Sequence, residues 1–70
     1  MALTDDQRSA AEQELQDLIN RIPEDIKKGW DGEIKWSPND VPMVPFVGKL
    51  KGRPAAEYAT ILDKINNGQY

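Results

Sequence analysis

The stretch Val44-Pro45-Phe46-Val47-Gly48-Lys49-Leu50-Lys51-Gly52-Arg53-Pro54 constrains this chain most, because it has to end a strand-like run and open a helix within a few residues. Pro45 lacks a backbone donor, so a strand through it belongs at a sheet edge or beside a bulge. Gly48 and Gly52 permit bends that residues with a Cβ resist, and Pro54 fits the first turn of a helix. The segments before this stretch lead into it, and the segment after it must pack back.

Size makes that packing consequential. A chain of 70 residues is one small domain, 1–70, and buries only about 60% of its unfolded surface. The sequence holds no cysteine and no histidine. Disulfides, thiolate metal sites, the commonest metal ligand and the commonest general base are therefore all missing. No metal or cofactor is implied, and a second copy or a protein partner would add the burial that so short a chain lacks. Met1 is not followed by a basic and then apolar run, and no apolar stretch nears the roughly 20 residues that span a bilayer. The expectation is a cytoplasmic protein that does not engage a membrane.

Charge is unevenly distributed. Residues 1–25 carry seven carboxylates against Arg8 and Arg21, a net of −5, whereas residues 26–53 carry six cations against Asp31, Glu33 and Asp40, a net of +3. Such segments can pair within one chain or between two copies, and exposed charges of this kind also simply solvate a surface. The overall charge of −3, with aromatics not interleaved in a basic stripe, speaks against nucleic acid.

Thr4-Asp5-Asp6-Gln7 has the form of a capping box, and Ala11, Leu15, Leu18, Ile19, Ile22 and Ile26 then recur at spacings of three and four. This predicts an amphipathic helix. Pro23 followed by Glu24 and Asp25, with Lys27, Lys28 and Gly29 behind them, predicts a short second helix over 23–28. Trp30 follows as a lid on the core, its indole donor near water. Asp31-Gly32 signals a turn, and Glu33-Ile34-Lys35-Trp36 alternates as a half-buried strand. After turn residues 37–40, an extended edge segment is expected from about Met43 to Leu50. Ala55, Tyr58, Ala59, Leu62 and Ile65 form a second helical stripe that ends at Asn67-Gly68, with Glu57, Asp63 and Lys64 facing out. The expected class is α+β: an N-terminal helix pair, a short two-strand antiparallel sheet with an edge strand, and a C-terminal helix. Phe46, Trp36 and Leu62 are expected to meet in its core.

The candidate site residues each have a structural and a functional reading. Lys49, Lys51 and Arg53 alternate just before a helix N-terminus, which suits an anion, and they equally suit the solvent face of an edge strand. Trp30, Trp36, Phe46 and Tyr58 are candidates for a pocket or an interface. Asp31, Asp40 and Tyr58 could serve acid/base chemistry, with Arg53 holding an anionic group. Asp5 with Asp6, and Asp31 with Glu33, lack calcium-loop spacing and read as a helix start and a turn.

Trp36, followed after a turn by Val44-Pro45-Phe46-Val47-Gly48-Lys49-Leu50-Lys51-Gly52-Arg53-Pro54-Ala55-Ala56 and an apolar helix, resembles the first half of a SnoaL-like domain of the NTF2-like superfamily. The resemblance covers roughly residues 8–66. It implies a partial version of that fold, because family members continue into a long curved sheet that closes a conical pocket and supplies much of the catalytic equipment. No catalytic residue carries over. Two functions follow as expectations. One is a non-catalytic interaction module that completes its core by self-association or by binding another protein. The other is a shortened SnoaL-like subunit that binds a small hydrophobic molecule for cyclase, isomerase or hydrolase chemistry.

Overall fold

A computed structural model describes residues 3–70. Helix α1 spans Asp5–Asn20, strand β1 Lys35–Trp36, strand β2 Pro42–Met43 and helix α2 Arg53–Asn66. The class is mixed α+β, with two helices packed on each other beside a two-strand antiparallel ladder whose register sets Lys35 against Met43 and Trp36 against Pro42.

Helix α1 starts where its sequence dictates. The Thr4 hydroxyl accepts from the Gln7 amide at 3.1 Å and the Gln7 side chain accepts from the Thr4 amide at 2.8 Å, which satisfies two otherwise free donors. Its buried face is Ala11, Leu15, Leu18 and Ile19, continued by Ile22. The far end is closed by a residue from beyond it: the Lys27 ammonium donates to the Ile19 carbonyl at 3.0 Å, placing a cation at the negative end of the helix.

That use of Lys27 bears on a correction. The short helix expected over 23–28 is absent, and the segment instead makes i to i+3 turns, Ile26 to Pro23 and Lys27 to Glu24, both at 3.1 Å. Six residues are too few to offset helix nucleation unaided. The first helix therefore packs on α2 rather than on a short neighbouring helix. Gly29, at φ 88°, provides the left-handed turn that the sequence called for.

The extended run expected over 43–50 is likewise shorter. Ladder pairing ends at Met43, after which Val47 donates to Val44, Lys49 to Phe46 and Leu50 to Val47, forming a turn and a 3-10 stretch at Val47–Lys49. Pro45 has no donor with which to extend the ladder. Burial nevertheless keeps a period of two: Pro42, Val44 and Phe46 point into the core, and Val41, Met43, Pro45 and Val47 point out. Strand β1 is also trimmed, from the expected 33–36 to 35–36.

Helix α2 begins at Arg53, with Pro54 second and Gly52 as a cap at φ 66° and ψ −135°, a conformation that glycine reaches without strain. It ends in a Schellman arrangement in which Gln69 donates to Lys64 and Gly68 to Ile65. Its buried residues are Ile61 and Ile65, so the core stripe is rotated from expectation: Ala59 is exposed, while Glu57 and Lys64 are half-buried. Both charged residues cross to α1, Arg21 to Glu57 at 3.2 Å and Lys64 to Glu14.

The core is Ala11, Leu15, Leu18, Ile19, Ile22, Val44, Phe46, Ile61 and Ile65. Trp36 and Leu62 pack against it half-buried. The ring that meets Phe46 edge to face is that of Trp30, at 5.4 Å between centroids.

Candidate functional site

The outward residues of 41–47 form one wall of an open groove of about 520 Å³, and the loop leading into β1 forms the other. Trp30 and Tyr58 line it together with Val41, Met43, Pro45 and Val47. Val41, Met43 and Val47 are the exposed large apolar side chains of the described residues, at 43%, 52% and 38% exposure. All three lie on this one segment and turn the same way.

Two polar donors of the groove are taken up by backbone carbonyls. Trp30 donates its indole N–H to the Glu33 carbonyl at 3.1 Å, and Tyr58 donates its hydroxyl to the Pro42 carbonyl at 3.2 Å. The second bond, with the missing donor of Pro42 itself, occupies polar positions on β2 that would otherwise invite a further strand. Burial pushes the Tyr58 phenol up, so it stays a protonated donor.

The acid/base candidates are not brought together. Asp31 borders the groove, but its carboxylate accepts from the Glu33 amide at 3.0 Å and pairs with Lys35 at 3.1 Å. The backbone bond first, and then Lys35, hold it below the usual carboxylate range, far from the near-neutral value that suits a general base. Asp40 lies away from the groove at the start of α1, accepting from the Leu3 amide at 2.9 Å and from Arg8 at 3.3 Å. Its φ of 59° is a left-handed conformation that these bonds help to hold. Trp36 gives its indole N–H to Glu12 at 3.1 Å, which ties β1 to α1. Phe46 is in the core.

Lys49, Lys51 and Arg53 are exposed, and with Lys28 they are the cations that form no ion pair among the described residues. Arg53 flanks a separate hollow beside Arg21 and Glu57, away from Val47 and the groove. Among the described residues no group of three or more carboxylates could hold a metal ion, and no helix is long and apolar enough to cross a membrane.

The sequence reading did not find the outer face of 41–47, although a signal was present. Val41 to Val47 is apolar at odd and even positions alike, and a run with two apolar faces needs cover on both. Nor did it find that Lys27 caps α1 or that Ile61 is core, because both depend on how α2 rotates and where the 23–30 turns lead. No family model, no curated protein and no solved structure matches the chain.

Proposed function

We propose that this chain is a small non-catalytic interaction module that completes its core by burying the outer face of 41–47 against another protein chain, its own copy or a different one. The observation that carries the reading is the alignment of Val41, Met43 and Val47, each more than a third exposed, along one wall of an apolar groove. Scattered apolar exposure is ordinary; a contiguous row beside Trp30 and Tyr58 is what an unfilled contact looks like. The engaged state of Asp31, Asp40 and Tyr58 supports binding over catalysis. The SnoaL-like resemblance supports it too, since in that family a further sheet completes what the helices and first strand begin.

A second reading has its own observation. A groove of about 520 Å³ falls within the range of small-molecule sites, so a shortened SnoaL-like subunit could seat a small hydrophobic molecule there. Such sites usually aim a few polar groups at the ligand, whereas here the Trp30 and Tyr58 donors are already bonded to the Glu33 and Pro42 carbonyls.

The test is hydrodynamic. In extract of the cells that make it, the tagged chain should elute well above the size of a 7.9 kDa monomer, and Met43→Glu should return it to monomer size with its circular dichroism unchanged. A wild-type chain that elutes as a monomer overturns the reading.

A further inference from the structure

Apart from the 41–47 face, we infer that the open edge of β1 takes an extended, basic segment of another protein as a third strand. The hydrogen bonds of the two-strand ladder argue for it. Lys35 stands opposite Met43 and Trp36 opposite Pro42, and beyond them Ser37 donates to the Val41 carbonyl at 2.9 Å. Pro42 has no N–H, so Trp36 and Pro42 are the pair without mutual hydrogen bonds. The N–H and C=O of Trp36, and by the same alternation those of Ile34, therefore turn away from β2. Among the described residues neither Ile34 nor Trp36 makes another backbone hydrogen bond. Glu33, of the opposite parity, has both groups taken, its N–H by Asp31 at 3.0 Å and its C=O by the Trp30 indole at 3.1 Å.

The two edges of the sheet thus differ. Beyond β2, Pro42 offers no donor, its carbonyl holds the Tyr58 hydroxyl and the Val44 carbonyl holds the Val47 N–H, which closes that edge. Beyond β1 lies an open hollow of about 660 Å³ between residues 32–35 and the polar face of α1 around Glu12 and Gln13, and none of residues 41–47 lines it. A strand added there supplies the alternating donors and acceptors that Ile34 and Trp36 lack. The walls set its charge. Lys35 is held by Asp31, whereas Glu33 and Glu12, the latter accepting from the Trp36 indole, pair with no cation among the described residues. These two carboxylates favour a basic side chain on the occupant. A second copy fits less well, because its own 33–35 segment would bring a further Glu33 into the same hollow with its Lys35 already paired.

The experiment pans the purified chain against displayed short random peptides, then follows the winners by fluorescence anisotropy and by amide hydrogen exchange. In the free chain the Ile34 and Trp36 amides should exchange as fast as loop amides, and bound winners carrying lysine or arginine should slow both about tenfold or more. Glu12→Gln/Glu33→Gln, which keeps an acceptor for the Trp36 indole, should weaken the winners about tenfold, and N-methylation of alternate winner amides should abolish binding. Met43→Glu should leave them unchanged. Slow exchange of Ile34 and Trp36 in the free monomer overturns the inference, as do winners without a basic bias, a purified chain that protects these amides by dimerising, and a panning that yields no winner. Winners that are lost with Met43→Glu and leave both amides unprotected overturn it while upholding the reading of the 41–47 face.

Discussion

The helix ends and the 41–49 segment solve the same problem to different degrees. Around α1 and α2, polar groups find partners within the chain: the capping box at Thr4 and Gln7, Lys27 on the last turn of α1, the Schellman turn after α2, and the crossing pairs Arg21 with Glu57 and Glu14 with Lys64. Along 41–49 the inner row Pro42, Val44 and Phe46 is just as buried as the helical core, but the outer row stays in water and the lysine that follows has no counter-ion. One region pairs its polar groups internally, and the other keeps an apolar row in water. The difference teaches that burial of alternate residues does not require a continuing ladder, since Pro45 breaks pairing while Phe46 still anchors the segment.

The contrast breaks most sharply within one short segment. Phe46→Ala removes a buried ring that Trp30 meets edge to face, and should cost about 3–5 kcal/mol, enough to unfold so small a domain. Lys49→Ala, three residues on, should change stability by no more than about 0.5 kcal/mol. Urea denaturation of both variants decides it: equal midpoints would mean that the inner row is not an anchor.

The internally paired region has a smaller test. Thr4→Ala removes the hydroxyl that accepts from Gln7 and should cost about 1 kcal/mol, with helicity lost first at the start of α1. Amide exchange at residues 5–8 reads that directly, and unchanged protection would show that Asp40 and the Tyr70 main-chain oxygen, which also bind this end, already suffice.

The smallest expected effect comes from Glu14 and Lys64. The Lys64 hydrogen bond holds the Glu14 carboxyl below its ordinary 4.5, against the opposing effect of burial, and Glu14 in turn holds the Lys64 ammonium above its ordinary 10.5. A depressed carboxyl contributes stability that is present above its ordinary value and is lost as pH falls through its folded one. A raised lysine contributes stability that is present below its ordinary value and is lost as pH rises through its folded one. The advantage of wild type over Glu14→Gln/Lys64→Met in thermal melts should therefore be level across neutral pH and shrink at both extremes. High salt should shrink it as well, because both side chains keep contact with water, at 31% exposure for Lys64 and 43% for Glu14.

What the sequence by itself determined is what depends on neighbours in the chain. The start of α1 follows from Thr4 and Gln7, its core face from the spacing of Ala11 to Ile22, and the left-handed turns from Gly29 and Gly68. The mixed α+β class follows from two helical stripes around a Trp36-bearing strand. Tertiary structure decided the rest. Pro23 opens only i to i+3 turns, and the Lys27 ammonium at their end serves both Glu24 and the Ile19 carbonyl of α1. The buried face of α2 depended on its rotation against α1, fixed by Ile61 and Ile65 inside and by the two ion pairs across the seam. The groove exists only because the loop of Trp30 folds over Phe46 and sets its wall opposite Met43. Local steric and hydrogen-bond preferences are written residue by residue, whereas a surface made by two distant segments is created only when long-range packing chooses between alternatives that are locally equal.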